Sequence, residues 1–67
     1  MLVRSSNLYS VDYDGSSASL TIQFRNGRGY QYYRVPFDEF RSLVGASSVG
    51  SYFHAHINGR YEYRQIY

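Results

Sequence analysis

The sequence contains no cysteine, no lysine and no tryptophan, and it has a single proline. Without cysteine the chain has no disulfide bridge, no thiolate zinc site and no cysteine nucleophile. Only two histidines are available as metal ligands, so we expect no metal site. A small domain without these supports depends on aromatic packing, on self-association, or on both.

Long apolar runs are also missing, since no stretch approaches the roughly 18 residues of a membrane-spanning helix. The first residues, Met1 to Arg4, do not begin a secretory signal. Hydrophobic residues make up 43% of the sequence and charged residues 18%, which is typical of a folded chain. We therefore expect one cytoplasmic domain over residues 1–67 that does not contact membranes.

Tyrosine and arginine, by contrast, are abundant. Nine residues are tyrosine, and all seven basic residues are arginine, while the net charge is only +2. A charge this small excludes a polycation that coats nucleic acid without specificity. Arginine binds phosphate and carboxylate groups through two nitrogens at once, and tyrosine is enriched at binding surfaces. The alternative is that tyrosine fills the edge of a small core and arginine keeps the surface soluble.

Alternating segments predict three antiparallel strands. Leu8–Asp14 alternates with Tyr9, Val11 and Tyr13 on one side, and Asp14 to Ser17 forms a turn in which Gly15 supplies a positive φ. Ser19–Phe24 alternates apolar and polar residues most regularly. Asn26-Gly27 predicts a hairpin to a third strand over Gly29–Val35.

Two short helices are expected after the sheet. Pro36 ends the third strand, an apolar stripe follows with helical spacing from Phe37 to Val44, and Gly45 ends that helix. Ser47 or Ser48 caps a second helix that stops at Asn58-Gly59. The tail, residues 60–67, alternates and forms either an extra edge strand or an extended arm.

The predicted fold class is therefore α+β, a three-stranded antiparallel meander packed with two short helices. The expected core consists of Leu20, Ile22, Phe24, Phe40, Leu43, Phe53 and Ile57.

The order of several short motifs resembles the KTSC domain family. These motifs are Ser6-Asn7-Leu8, Tyr13-Asp14, Phe24-Arg25-Asn26-Gly27, Tyr30-Gln31-Tyr32, Val35-Pro36, Ala46-Ser47-Ser48-Val49-Gly50, Tyr52-Phe53, Ile57 and Tyr61. Domains of this family occur at the C-terminus of some lysyl-tRNA synthetases and as small separate proteins in bacteria and phages. The resemblance implies a small α+β unit without catalytic activity, and it associates the domain with RNA. The chain departs from the family at His54, where asparagine is frequent, and at Arg60 and Arg64, where lysine is frequent.

A hydroxyl-rich loop, Ser47 to Ser51, opens the second predicted helix. Backbone N–H groups and serine hydroxyls at a helix start are suited to an anion, although an ordinary helix cap explains the same residues. On the second predicted helix His54 and His56 lie about 200° apart, so they do not chelate one metal ion. No spacing typical of a nucleophile elbow or a phosphate loop is present, and we expect no enzymatic activity.

Arginines and tyrosines alternate in the second hairpin and again in the tail, a combination suited to phosphates and stacked bases. The candidate ligand-binding residues are Arg25, Arg28, Tyr33, Arg34, Ser48, Gly50, His54, Arg60, Tyr61 and Arg64. The predicted fold places Ser48, Gly50, His54 and Arg60 beside Arg34 and Tyr33. The alternative is that the tyrosines are core residues and the arginines pair with carboxylates.

Two functions fit these patterns. The first is a non-catalytic binding protein for a phosphate-containing ligand, which is a nucleotide, a nucleotide-derived signal or a short nucleic acid. If a phage encodes it, such a protein would act in anti-defense in the host cytoplasm, as a sponge that sequesters a host immune signal. The second is a protein-interaction module, an adaptor or inhibitor that acts through a tyrosine-rich surface. The thin core and the open sheet edges also predict a homo-oligomer, a dimer or higher.

Overall fold

A computed structural model describes all residues, 1–67. The chain folds into a four-stranded antiparallel sheet with the strand order β1-β2-β3-β4 and two helices inserted before the last strand. The strands are β1 (Leu8–Asp14), β2 (Ser19–Phe24), β3 (Gly29–Tyr32) and β4 (Tyr63–Gln65). The helices are α1 (Phe37–Val44) and α2 (Val49–His56). The α+β class and the meander are confirmed, and the tail supplies the fourth strand. Neither helix has the length and apolar composition that crossing a bilayer requires.

The sheet is apolar on one face only. Residues directly opposite each other in antiparallel strands share a face, and the row Tyr13, Leu20, Tyr32 and Tyr63 crosses all four strands. The neighbouring row on the other face contains Asp12, Thr21, Gln31 and Arg64, which are polar. The helices pack against the apolar face, and the polar face is left to solvent.

An irregularity in β1 corrects the predicted alternation. The pairing register shifts between Leu8 and Ser10, so Tyr9 is an extra residue opposite β2. Leu8 and Val11 are both fully buried, whereas Tyr9 is exposed. The prediction that Tyr9 and Val11 share a side is therefore wrong, because a β-bulge reverses the alternation between them.

Two residues with positive φ shape the end of the sheet where β1 meets β2. Arg34 has a φ of 56° and Ala18 a φ of 54°. The turn at Arg34 ends β3 at Tyr32, earlier than the predicted end at Val35, and buries Val35, whose N–H donates to the Ala18 carbonyl at 2.9 Å. In the turn after β1 the positive φ belongs to Ala18 and not to Gly15. The Asp14 carboxylate accepts from the N–H and hydroxyl of Ser16, which lowers its pKa.

Both helices begin and end near the expected residues. Pro36 precedes α1, and Gly45 ends it. Ser48 caps α2 with its hydroxyl oxygen, which accepts from the N–H of Ser51 at 3.3 Å, and Ile57 ends the helix.

The core lies between the helices and the apolar sheet face. Its members are Leu8, Val11, Leu20, Ile22, Tyr32, Val35, Leu43, Val49, Phe53 and Ile57. Five of the seven predicted core residues are among them. Phe24 and Phe40 are only half-buried, because they pack at the rim of the core. Leu8 and Val35 went unrecognised because the bulge and the turn at Arg34, rather than a regular alternation, direct them inward.

Phe53 connects α2 to the middle of the sheet. Its ring meets Phe24 and Tyr32 edge to face, with centroids 5.5 Å and 5.8 Å apart. Tyr32 in turn lies 5.5 Å from the ring of Tyr63 in β4. Burial raises the pKa of Tyr32 to about 12.

The carboxylate of Glu39 ties both helices to the segment that leads into β4. It accepts hydrogen bonds from the hydroxyl of Tyr52 in α2 and, at 3.0 Å, from that of Tyr61. The hydrogen bond to Glu39 is the main cause that raises the pKa of Tyr52. The pKa of Tyr61 is also raised, mainly by desolvation and secondly by its hydrogen bond to Glu39. Glu39 thus acts as a single acceptor that joins three parts of the chain.

We expect Glu39→Ala to lower the free energy of unfolding by about 1–2 kcal/mol, because two half-exposed hydroxyls lose their acceptor. Thermal unfolding followed by circular dichroism should show a midpoint about 5–10 °C lower. Asp38→Ala removes the same charge from the same helix turn and serves as the control. Equal effects of the two substitutions would contradict a tie through Glu39.

Alkaline pH should destabilise the fold through its tyrosines. Three of them, Tyr32, Tyr52 and Tyr61, have a folded pKa above the ordinary value near 10, so their neutral form stabilises the folded state. That stability is complete below about pH 10 and is lost as the pH rises through the folded pKa values, reaching about 12 for Tyr32. Since the chain has no lysine or cysteine, tyrosines are the side chains that titrate in this range.

Urea unfolding measured from pH 9 to pH 12 should therefore show a falling free energy of unfolding. In Glu39→Gln the decline should be smaller, because the neutral amide no longer disfavours ionised Tyr52 and Tyr61. A free energy that stays constant across this range would contradict the interpretation.

Candidate functional site

A polar pocket of about 350 Å³ lies at the N-terminus of α2. One wall is the segment before β1, and the other is the start of α2 with the loop that precedes it. The lining residues are Arg4, Ser5, Ser6, Asn7, Ser47, Ser48, Val49, Gly50, Ser51 and His54. The pocket therefore combines two segments that are far apart in the sequence.

Hydrogen bonds fix the wall formed by the segment before β1. The Ser5 hydroxyl donates to Asn7 Oδ1 at 2.9 Å, and its oxygen accepts from the N–H of Leu8 at 3.2 Å. Gly50 allows the two walls to meet, since a Cβ at this position would lie 3.0 Å from Asn7 Oδ1 and 3.2 Å from Ser5 Oγ. A larger side chain at position 50 would push the two walls apart, because the start of α2 packs directly on the side chains of Ser5 and Asn7.

The hairpin between β2 and β3 supports the pocket from behind. The Nε of Arg25 donates to the Ser5 carbonyl at 2.8 Å, and its backbone N–H donates to the Asn7 carbonyl at 2.8 Å. The guanidinium also lies 5.9 Å from the ring centre of Tyr9. Arg25 thus positions the wall of the pocket and is not one of the residues that line it.

The electrostatic character of the pocket favours an anion. Five serines and one asparagine line it, together with Arg4 and His54, and no carboxylate is among the lining residues. The structure contains one ion pair, between the Met1 ammonium and Asp12, so no carboxylate neutralises Arg4. The first N–H groups of α2 add the positive end of the helix dipole.

The predicted binding residues are divided between two ends of the molecule. Ser48, Gly50 and His54 line the pocket, and Arg25 and Arg28 belong to the supporting hairpin. Arg60 follows the other end of α2, which with eight residues is about 12 Å long. The pocket is lined by none of Tyr33, Arg34 and Arg60, and α2 lies between Ser48 and Arg60. The predicted grouping of Ser48, Gly50, His54 and Arg60 beside Arg34 and Tyr33 is therefore not found at this pocket.

The remaining predicted residues surround the end of the sheet where β3 stops. The N–H of Tyr33 donates to the Glu62 carbonyl at 2.9 Å, and Arg34 follows in the turn with positive φ. Tyr61 donates to Glu39, and Arg64 shares the polar sheet face with Gln31. These residues do not line the pocket.

Arg4 and Ser5 were missed as candidates from the sequence. Neither takes part in a periodic pattern, and only the fold shows that residues 4–7 lie against α2. Asn7 does belong to one of the motifs that carry the family resemblance, so that motif was the one available signal.

An apolar groove of about 340 Å³ adjoins the polar pocket. The two cavities share Arg4, Ser47 and Val49 as lining residues. The groove itself is mainly aliphatic, with Met1, Leu2, Val3, Val44 and Ala46 in its walls. Together they form a continuous surface with a polar half and an apolar half.

The chain is similar to several known proteins. A region of a lysine–tRNA ligase from Trichormus variabilis is 37% identical over 54 residues, which cover 81% of this chain and 10% of that enzyme. A protein from Tsukamurella paurometabola is 32% identical over 88% of both chains. The chain thus spans only about one tenth of the tRNA ligases that it matches, but most of a protein of its own size.

The fold has an experimental counterpart. The crystal structure of a KTSC domain protein from Yersinia pestis superposes with a TM-score of 0.95 at 37% identity, covering 100% of this chain and 94% of that one. The family model for the KTSC domain matches residues 4–61, which include both walls of the pocket. The chain therefore belongs to the KTSC domain family.

Proposed function

We propose that the chain is a non-catalytic binding protein whose pocket at the start of α2 holds the phosphate group of a ligand. The ligand class is a nucleotide, a nucleotide-derived signal or a short nucleic acid. The observation that carries the proposal is a pocket lined by five serines, Arg4 and His54 without any carboxylate.

The chemistry of the pocket supports a phosphate in particular. Serine hydroxyls and helix N–H groups donate to several oxygens at once, and the arginine guanidinium contacts two oxygens of one phosphate. The fixed walls around Ser5, Asn7 and Gly50 provide this arrangement before any ligand arrives, which reduces the entropic cost of binding.

The adjoining groove supports a ligand with an apolar part attached to the phosphate. A base placed there would contact Leu2, Val44 and Ala46, which belong to the groove wall. This arrangement differs from tyrosine stacking, because no tyrosine lines either cavity. Further contacts with a longer nucleic acid stay predictions, and the residues expected to make them are Arg28, Tyr33, Arg34, Arg60, Tyr61 and Arg64.

The surroundings of His54 support a binding role and not a catalytic one. A serine nucleophile requires a base that a carboxylate orients, and no carboxylate lines the pocket near this histidine. A protein that retains a nucleotide without converting it would sequester it, and a phage copy would serve as the sponge described above. The similarity to a region of a lysine–tRNA ligase supports an RNA or nucleotide ligand and a cytoplasmic location.

A second candidate function is a protein-interaction module. It is favoured by the exposure of large aromatic side chains, with Tyr63 56% and Tyr67 64% exposed. Tyrosine is enriched in protein interfaces relative to the rest of the surface.

Arg4→Ala should weaken the binding of adenosine 5′-monophosphate by about ten- to a hundredfold, because one charge-assisted contact is lost. Isothermal titration calorimetry on the full chain measures this loss. Arg41→Ala serves as the control, since Arg41 is an exposed arginine of α1 outside the pocket. If Arg4→Ala binds like the control while Arg34→Ala or Arg60→Ala loses affinity, the ligand lies at the other end of the fold.

Salt separates the two candidate functions. Phosphate contacts should make the affinity for adenosine 5′-monophosphate fall clearly between 50 mM and 500 mM sodium chloride, because bound charges are screened. An aromatic protein interface should change little over the same range. Absence of nucleotide and oligonucleotide binding at low salt, together with capture of a folded protein partner, would favour the interaction module.

A further inference from the structure

The two edges of the sheet differ in how they are covered. Residues 1–3 run along the outer edge of β1, where Leu2 bridges Ser10 and the N–H of Val11 donates to the Met1 carbonyl at 2.9 Å. No segment covers β4, whose three residues are all exposed. An open edge of this kind is a template for another strand.

The hydrogen-bonding pattern shows which groups of β4 are free. The N–H of Tyr33 donates to the Glu62 carbonyl, and the N–H of Ile66 donates to the Gly29 carbonyl. Because bonded pairs alternate in an antiparallel ladder, Glu62, Arg64 and Ile66 point their backbone groups toward β3. The N–H and C=O groups of Tyr63 and Gln65 therefore point outward, away from the sheet.

The charges beside these free groups are arranged for self-pairing. Glu62 and Arg64 are the residues before and after Tyr63, and their side chains lie on the polar face of the sheet. Neither belongs to the one ion pair of the structure. In a two-fold antiparallel pair centred on Tyr63, Arg64 lies opposite Glu62 of the second copy, and the reverse pair forms by symmetry. Opposite charges that face each other across two strands stabilise a sheet.

Other registers lack this complementarity. An axis through Arg64 places two guanidinium groups directly opposite each other, which destabilises the pair. An axis through Gln65 places Arg64 opposite the aliphatic Ile66. Only the axis through Tyr63 matches unlike charges and lets the two outward N–H groups of Tyr63 donate to each other's carbonyl.

Aromatic side chains lie on the apolar face of the sheet at this same edge. The ring of Tyr63 is 56% exposed and stands beside Tyr30 and Tyr32, with centroids 5.7 Å and 5.5 Å away. Across the proposed axis it would meet the same ring of the second copy. This contact adds apolar burial to the backbone and charge pairs.

We propose that the chain forms a symmetric dimer in which β4 pairs antiparallel with β4 of a second copy about an axis at Tyr63. The two sheets then join into one eight-stranded sheet with ion pairs between Glu62 and Arg64 of opposite copies. The phosphate pocket is a separate surface, so this dimer does not depend on the proposed function.

The test is sedimentation equilibrium of the full chain and of two variants at micromolar concentration and low salt. Arg64→Glu places two carboxylates opposite each other and should raise the dimer dissociation constant by about tenfold or more. The double variant Glu62→Arg with Arg64→Glu exchanges the charges and should restore dimerisation to within a few-fold of wild type. Arg41→Glu, which changes the same charge on α1, should leave the dissociation constant unchanged.

Circular dichroism shows whether each variant keeps the fold.

The substitution Gln65→Pro is an independent test. It removes a backbone N–H that points away from β3, so it should weaken the dimer while the intramolecular sheet is retained. A concentration-independent monomer mass for the wild-type chain would overturn the proposal. A wild-type dimer that Arg64→Glu leaves intact, or that the charge exchange fails to restore, would also overturn it.

Discussion

The packing of α2 across one apolar sheet face is the constraint on which the rest of the structure depends. The sheet has a single buried face, and Phe53 fills its centre by meeting Phe24 and Tyr32 edge to face. A chain of 67 residues buries only about 60% of its unfolded surface, so few other contacts are available to replace this one. The position of α2 then determines where both of its ends, and the groups attached to them, are placed.

Polar contacts hold α2 at its N-terminus and near its middle. At the N-terminus Gly50 packs on Ser5 and Asn7, which closes the serine-lined pocket. Near the middle of the helix Tyr52 donates to Glu39 of α1, and Tyr61 donates to the same carboxylate after the helix has ended. The helix is thereby fixed against both the start of the chain and α1, and these contacts hold the two walls of the pocket together.

Local patterns predicted most of the elements but little of the site. The alternation in Ser19–Phe24, the Asn26-Gly27 turn and the apolar stripe from Phe37 to Val44 are short-range signals, and the structure has these elements. The bulge at Tyr9 and the positive φ of Arg34 depend on tertiary packing, and they changed which residues face the core. The pocket joins residues 4–7 to residues 47–54, a long-range contact that no periodicity encodes.

The proposed phosphate site lies among the first residues of α2. It can be tested by titrating the ¹⁵N-labelled chain with inorganic phosphate and following the titration by nuclear magnetic resonance. We expect saturable shifts for the backbone amides of Ser48, Gly50 and Ser51 and for the Arg4 side chain, while the amides of Arg34 and Arg60 stay in place. Shifts concentrated at Arg34 and Arg60, or no saturable shifts at the start of α2, would contradict it.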